Sequence, residues 1–230
     1  MSKEALTSHI SNEHLQTSLC YGELPGSIVR IPKYNDIYVS ADEDGMIYIV
    51  ETGQVKLTMV SSNGKECLLA IYTTGEMFGE LSFCSSVRME TATAMEDTVV
   101  KRIPIRVFLQ YVSSEKSRLN CFIQYLALRL MEQQQVIFDF VVFNSEYRFA
   151  QALLHLGEKL GEKFASDIRI EHRITHEELS QLVGTTRPRI SEFMSEFRQR
   201  GLIEISAERF LIIKRTKLAN YLTQITANIS

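Results

Sequence analysis

The chain has 230 residues, a mass of 26.3 kDa and a formal net charge of −3. This length suffices for one large domain or two ordinary ones. Apolar residues make up 45% and charged residues 23%, with 4 prolines, which excludes a disordered or collagen-like chain. No apolar run reaches the roughly 18 to 20 residues of a membrane-spanning helix, and the N-terminus lacks a secretory pattern. We therefore expect a cytoplasmic protein with no membrane partner.

Charge is divided unevenly along the chain. Residues 1–144 hold 12 Lys and Arg against 17 Asp and Glu, whereas residues 145–230 hold 13 against 11. A slightly basic C-terminal half is compatible with nucleic acid, although a solvated surface gives the same balance. The 4 cysteines are scattered and form no Cys-x-x-Cys pair. Neither a structural metal site nor a disulfide framework is expected.

The segment from about Ile28 to Ile103 consists of short β-branched and aromatic runs separated by turn residues. This pattern is typical of a β-sandwich or barrel. The Asn63-Gly64 pair predicts a hairpin turn, because Asn and Gly accept positive φ at little cost. In the strand before it, Val55, Leu57 and Met59 alternate with Lys56, Thr58 and Val60, which predicts one buried face. The acidic run 42–45 lacks the closing Glu of a calcium loop and is predicted to be a turn.

Helical periodicity follows Pro104 and predicts a helix of about 25 residues. Its apolar stripe has steps of three or four and comprises Leu119, Phe122, Leu126, Leu130, Gln133, Ile137 and Phe140. Such a stripe favours a two-stranded coiled coil in which Gln133 and Gln134 fix the register, and the alternative is an ordinary core helix. A hinge at residues 144–146 precedes a further amphipathic helix that ends near Gly161.

The segment 175–200 predicts a helix-turn-helix. Thr175 and Glu178 have the spacing of a capping box, so a helix begins there, and Gly184 ends it. A second helix follows, in which Pro188 is compatible with the first turn. Its inward face is predicted to be Ile190, Phe193, Met194 and Phe197.

The outward face of the second helix and the chain after it carry the candidate DNA contacts. Arginine can bind guanine through two hydrogen bonds and Glu can accept from cytosine. Gly201 ends the helix, and residues 202–205 and 210–213 predict the hairpin of a winged helix, followed by cations suited to phosphate. The candidate DNA-binding residues are Thr175, Thr185, Thr186, Arg187, Pro188, Arg189, Ser191, Glu192, Lys214, Arg215 and Lys217.

Over roughly residues 28–217 the sequence resembles the bacterial regulators of the cyclic-AMP receptor protein and fumarate-nitrate reductase regulator (CRP/FNR) family. The resemblance rests on Gly53-Gln-Val-Lys, Gly75-Glu-Met-Phe-Gly-Glu-Leu81, Arg88, Ala94-Met-Glu-Asp, the long helix, and the run from Ile174 to Arg189. It implies an α+β protein with an N-terminal antiparallel jelly roll of eight strands, a long dimerisation helix and a C-terminal winged helix-turn-helix. The implied division is 1–113 for sensing, 114–144 for dimerisation and 145–230 for DNA binding.

The resemblance also implies an effector pocket in the roll. In the cyclic-nucleotide binders of the family, the Glu of the Phe-Gly-Glu-Leu segment holds the ribose and an Arg-Ser pair holds the cyclic phosphate. Arg88 falls at the Arg position, but Met89 replaces the Ser, and Glu90 replaces a small residue. Gln133 and Gln134 replace the purine-contacting Thr-Ser pair of the long helix. The pocket residues so implied are Phe78, Gly79, Glu80, Leu81, Arg88, Met89, Gln133 and Gln134; the alternative is that Glu80 and Arg88 simply pair inside the roll.

The effector is left open by these substitutions. A cyclic nucleotide is one candidate, and haem is another, with His9, His14, Cys20 or a Met as axial ligand. The signal could also be a metabolite or the oxidation of a thiol, or the roll could bind no ligand. An iron–sulfur cluster is not expected, because it needs four ligands and Cys20 is the one cysteine near the N-terminus.

These features favour a homodimeric transcription regulator whose winged helices are reoriented through the long helix by an effector or redox signal. The expected partners are double-stranded palindromic DNA, a second copy of the chain and RNA polymerase. A catalytic constellation or a nucleotide-binding Gly-rich loop is not recognisable, so the sequence does not favour an enzyme. A non-DNA interaction module is disfavoured by the basic residues of the second helix and the wing. Residues 218–230 either pack on the wing or stay loose.

Overall fold

The computed structural model describes residues 24–164, 166–171 and 174–227. These residues form two compact units, one of residues 24–59 and 69–134 and one of residues 60–68 and 135–227. Among the described residues, no helix is both long and apolar enough to cross a bilayer.

The N-terminal strands form two four-stranded sheets in the orders β1-β8-β3-β6 and β2-β7-β4-β5. The β1–β8, β3–β8, β2–β7 and β4–β7 pairs are antiparallel. The strands are β1 (Ser27–Ile31), β2 (Asp36–Tyr38), β3 (Met46–Thr52), β4 (Gln54–Val60), β5 (Glu66–Thr73), β6 (Met77–Phe78), β7 (Thr91–Ala94) and β8 (Thr98–Pro104). This roll is the antiparallel β architecture expected from the sequence.

Aromatic side chains fill the interior of the roll. The rings of Tyr48 and Phe78 stack with centroids 5.2 Å apart, and Tyr38 and Tyr72 each pack 5.5 Å from one of them. The alternation predicted for β4 holds at Val55 and Leu57, which are buried, but fails at its end, where Thr58 is buried and Met59 is half-buried. Only the first part of β4 therefore has the predicted pattern of one buried face and one more exposed face.

Two helices follow the roll, α1 (Ile105–Ser113) and α2 (Lys116–Val142). One face of α2 packs into a second apolar cluster of the roll, where the Phe122 ring lies 5.2 Å from Phe108 and 5.5 Å from Phe83. The assignment of Phe122 to the dimer stripe is therefore wrong, because its side chain is buried in the core of its own roll.

The second unit contains the C-terminal elements. They are α3 (Ser145–Leu160), β9 (Gly161–Phe164), β10 (Asp167–Ile170), α4 (His176–Val183), α5 (Arg187–Gln199), β11 (Ile203–Ile205), β12 (Leu211–Ile213) and α6 (Arg215–Ala227). The strands form one sheet in the order β11-β12-β10-β9. In α6, Leu218 and Leu222 are buried and the Tyr221 hydroxyl donates to Glu146 on α3. The tail is therefore a packed helix as far as Ala227.

Candidate nucleic-acid interface and sensor site

The first helix of the helix-turn-helix begins at the predicted capping box. The Thr175 hydroxyl accepts from the Glu178 amide at 3.1 Å, and the Glu178 carboxylate accepts from the Thr175 amide at 3.0 Å. These bonds satisfy amides that have no partner within the helix, so they fix the start of α4. Thr175 is thus a helix-start residue as well as a candidate DNA-binding residue.

The turn between α4 and α5 is held by close packing around Gly184. Gly184 has φ +67°, and a Cβ placed there would lie 2.4 Å from the Phe140 ring. Arg148 donates to the carbonyls of Val183 at 3.0 Å and of Phe143 at 2.8 Å. These contacts tie the turn to the end of α2 and the start of α3, so Phe140 has a structural partner within its own chain.

The orientation of α5 follows from its apolar face. Ile190, Phe193, Met194 and Phe197 are all buried, and Phe149 of α3 packs against two of their rings with centroids 5.6 and 5.1 Å away. Since these side chains are held inward, the opposite face is directed to solvent. The predicted contacts Thr186, Arg187, Pro188, Arg189, Ser191 and Glu192 are exposed, and Thr185 is half-exposed.

The exposed polar residues of α5 differ in how they are held. Arg189 donates to Glu192 at 2.8 Å and its guanidinium lies 4.7 Å from the Phe193 ring centroid. Ser191 Oγ lies 2.9 Å from His176 Nδ1. Among the described residues, the Arg187 side chain has no hydrogen bond or ion pair, and it is therefore available to a ligand.

A groove of about 580 Å³ lies between the start of α4, one side of α5 that includes both Arg187 and Met194, and the wing. Its lining in the described chain includes Arg187, Arg198 and Arg209 and no acidic side chain. Three guanidinium groups with no carboxylate among them favour an anionic ligand. Four residues of the groove were not predicted from the sequence, namely His176, Ser195, Arg198 and Arg209. Helical spacing from Arg187 could have found Ser195 and Arg198, but Arg209 reaches the groove through the wing.

Two of the three predicted phosphate-binding cations after the wing form ion pairs with acidic side chains of the same chain. Lys214 Nζ lies 2.9 Å from Asp167 and 3.0 Å from Glu204, and these hydrogen bonds raise the pKa of Lys214. Arg215 lies 3.7 Å from Glu158, whereas Lys217 is exposed. Lys214 therefore joins β10 to β11 electrostatically, and Lys217 is the better candidate for a phosphate contact.

Arg88 is the charged centre of the roll. Its side chain is 1% exposed, and its Nη2 lies 2.6 Å from Asp44 Oδ1. It also donates to the carbonyls of Gly79 at 3.0 Å and Met46 at 2.6 Å, and it lies 4.0 Å from the Tyr38 ring centroid. The alternative of a Glu80–Arg88 pair is therefore wrong in its partner, because the acidic turn brings the Asp44 carboxylate to the guanidinium.

Glu80 has different neighbours. Burial raises the pKa of Glu80, and Arg129 of α2 opposes that rise. Arg129 donates to Glu132 at 2.7 Å and to the Tyr72 hydroxyl at 2.7 Å, which joins α2 to the wall of the roll. Arg129 was missed in the sequence, where it is an unremarkable cation between apolar positions.

The remaining implied pocket residues differ in their burial. Phe78 is fully buried in the aromatic cluster, whereas Leu81 is 46% and Met89 59% exposed. Gln133 and Gln134 are exposed on α2. Glu90 is buried and accepts from the Tyr38 hydroxyl at 3.1 Å. Among the described residues, no group of three or more His, Cys, Asp or Glu is placed to hold a metal ion. His9, His14 and Cys20 lie outside the described residues.

Comparison with known proteins gives two family matches in chain order. Residues 29–115 match the cyclic nucleotide-binding domain, and residues 147–221 match the Crp-like helix-turn-helix domain. A CRP-like cAMP-activated global transcriptional regulator of Mycobacterium tuberculosis is 27% identical over 83% of this chain and 86% of its own length. A global nitrogen regulator of Synechococcus elongatus is 25% identical over 86% of this chain and 90% of its own length.

The fold of this chain is also similar to that of solved structures. A CooA variant from Carboxydothermus hydrogenoformans superposes with a TM-score of 0.71 at 24% identity, covering 96% of this chain and 94% of that one. Both domains, their order and the fold thus agree with the resemblance seen in the sequence. The chain belongs to the CRP/FNR family of DNA-binding transcription regulators.

Proposed function

We propose that the chain acts as a homodimer that binds a palindromic operator and changes its DNA affinity in response to a small effector or redox signal sensed by the roll. The observation that carries the DNA-binding part is the acid-free groove bordered by α4, α5 and the wing. Its arginines lie beside a buried apolar face that fixes the direction of α5.

Within this interface the residues divide by chemistry. Arg187 and Ser191 lie near the N-terminal end of α5, where a recognition helix meets base edges in the major groove. Arg189 is oriented by Glu192, so these two side chains present a donor and an acceptor together. Arg198 lies towards the C-terminal end of α5, and Arg209 and Lys217 lie outside that helix. These three cations suit phosphate, which positions the protein without reading sequence.

Dimerisation is supported by the free face of α2. Its exposed residues repeat at steps of four and three and comprise Leu119, Ile123, Leu126, Leu130, Gln133, Ile137 and Phe140. This is the a/d repeat of a two-stranded coiled coil, in which one polar residue fixes register at a cost in stability. Ile123 replaces Phe122 in the predicted stripe, and Gln133 is the polar position. Parallel pairing along this seam suits a two-fold symmetric operator.

For the effector, the Asp44–Arg88 pair argues against a cyclic nucleotide. The Arg88 guanidinium already donates to Asp44 and to two backbone carbonyls. A cyclic phosphate would have to displace these partners from a buried site. We infer that the cassette of this chain is structural. The candidate signals are then haem, a metabolite and a redox thiol. The expected protein partner is still RNA polymerase.

DNA binding is tested by electrophoretic mobility shift on a selected operator and on single-base variants of it. Arg187→Ala should lose about 1 to 3 kcal/mol of discrimination at one base pair, because a two-bond contact to a base edge is removed. Lys217→Ala is the matched control and should weaken all sequences about equally, with a shallower salt dependence. Equal loss on every sequence for Arg187→Ala would reassign that residue to phosphate.

The cassette inference is tested by calorimetric titration of the apo protein with cyclic AMP. We expect no heat of binding and no change in operator affinity. Micromolar binding that changes operator affinity would contradict the inference and would make the chain a cyclic-AMP-dependent regulator with an altered cassette.

A further inference from the structure

A cavity of about 280 Å³ opens on the roll between β1, β2, β3, β8 and the acidic turn 42–44. The cassette residues Glu80 and Arg88 do not line it. Ligand cavities usually measure about 300 to 1,000 Å³, so this one suits a molecule of few heavy atoms.

One wall of the cavity is apolar and incompletely covered. It is formed by Val29 and Ile31 of β1, Ile37 of β2 and Val100 of β8. The first three are only half-buried, although they pack against the aromatic cluster of the roll. A branched aliphatic group placed here would remove this area from water, at about 25 cal/mol per Å².

Opposite charges lie on the remaining walls. Asp42 and Glu43 line the cavity and are exposed. Arg102 lines it as well, and its guanidinium has no hydrogen bond or ion pair among the described residues. A guanidinium that has no acceptor of its own favours an anionic ligand, and a carboxylate is the acceptor that matches its fork best. The cavity therefore combines an unsatisfied anion site, a cation site and an apolar wall.

We propose that this cavity binds a zwitterionic α-amino acid with a branched aliphatic side chain. Its carboxylate accepts from Arg102, its ammonium group is held by Glu43 and Asp42, and its side chain lies on the wall formed by Val29, Ile31 and Ile37. A simple amine would leave Arg102 unpaired, and a simple carboxylic acid would leave the two acidic side chains without a counter-charge.

The cavity is adjacent to the buried centre of the roll. Asp44 and Tyr48 line it, and Asp44 also holds Arg88. A ligand in the cavity thus contacts the residues that fix the Arg88 guanidinium. Amino-acid binding stands on the cavity alone, whereas its use as an effector rests on the proposed function.

The test is calorimetric titration of the full-length protein, without DNA, using L-leucine as the probe. The controls are 4-methylpentanoate, which lacks the ammonium group, and 3-methylbutylamine, which lacks the carboxylate. We expect L-leucine to bind and each analogue to bind at least about tenfold more weakly, because each loses one charge-assisted interaction. Absence of binding by L-leucine, or equal binding by either analogue, would overturn the proposal.

Two variants and one control assign the contacts. Arg102→Met keeps an apolar stem and should weaken L-leucine binding at least about tenfold, while Lys101→Met removes the same charge from the neighbouring position and should not. Glu43→Gln, at an exposed position, should also weaken binding and keeps the test decisive if Arg102→Met misfolds. Unchanged affinity in folded Arg102→Met or in Glu43→Gln would overturn the proposal. DNA binding is measured separately, so loss of either property is distinguishable from loss of the other.

Discussion

At the scale of single residues, Arg88 shows how one buried charge organises the roll. Its guanidinium is neutralised by Asp44 and donates to two carbonyls, so each partner depends on the other for its burial. The Tyr48 hydroxyl donates to Asp44 at 2.5 Å, and burial raises the pKa of Tyr48, which keeps that hydroxyl a donor. The acidic turn is therefore part of the core electrostatics of the roll.

Replacing Asp44 should accordingly be costly. Asp44→Asn leaves a buried guanidinium without its counter-charge, and we expect a loss of about 3 kcal/mol in the free energy of unfolding. Glu43→Gln, at the neighbouring exposed position, should stay within about 0.5 kcal/mol of the parent protein. Urea unfolding followed by circular dichroism measures both. An Asp44→Asn variant as stable as Glu43→Gln would show that the pair does not stabilise the roll.

Glu80 predicts that the stability of the roll depends on pH. Because burial raises the pKa of Glu80, its contribution to stability is full below the unfolded pKa of about 4.3 and is lost as pH rises through the folded pKa. Glu80→Gln should therefore be more stable than the parent at pH 7, and the difference should shrink towards pH 4. Urea unfolding at both pH values measures this. A difference that grows on acidification would contradict the assignment.

These residues also show what could be predicted from the sequence. The cassette motif located Arg88, but not its partner, since Asp44 lies 44 positions away in a turn that looks like an ordinary solvated acidic loop. Arg129 was missed for the same reason, because its significance depends on contact with the Tyr72 hydroxyl across the fold. Pairings of distant residues leave no local spacing in a sequence.

At the scale of elements, α2 serves two partners with two faces. Phe122 and Tyr125 are buried against the roll, and the Tyr125 hydroxyl donates to the Met77 carbonyl at 2.8 Å. Ile123 and Leu130 are exposed on the other face. Periodicity predicted the helix but not the seam, because Phe122 and Ile123 both fit steps of three or four between Leu119 and Leu126. Only contact with the roll distinguishes the two positions.

Substitutions on these two faces should separate folding from assembly. Ile123→Asp places a charge in the proposed seam and should raise the dimer dissociation constant at least about tenfold while leaving the protomer folded. Phe122→Ala should instead cost the roll about 3 to 5 kcal/mol of stability, because it leaves a cavity in the core. Sedimentation equilibrium and urea unfolding measure the two effects. A fully dimeric Ile123→Asp variant would contradict the seam.

The turn of the helix-turn-helix is predicted to require glycine at position 184. Gly184→Ala should cost more than the roughly 1 to 2 kcal/mol of left-handed backbone strain, because the new Cβ also meets the Phe140 ring. Gly64→Ala is a control with φ +78° and nothing within 4 Å of the new Cβ. Thermal unfolding compares the two variants. Equal losses would show that Phe140 does not restrict the turn.

At the scale of the whole molecule, the order of domains was predictable because each is marked by local signals. The capping box, the glycine turn and the apolar face of α5 all lie within 25 consecutive residues, and the structure confirms each of them. The hairpins of the roll are marked in the same way by turn residues. The effector was not predictable, because the roll has the family fold but fills its interior with aromatic rings and an internal ion pair.

In the proposed function, two chains bind one palindromic operator. We would select operators from random duplex DNA with the full-length protein, and then measure the mass of the complex by analytical ultracentrifugation. We expect an inverted repeat whose half-site centres lie about one helical turn, roughly 34 Å, apart, with two chains on each duplex. A selected site without an inverted repeat that is bound by a single chain would contradict it.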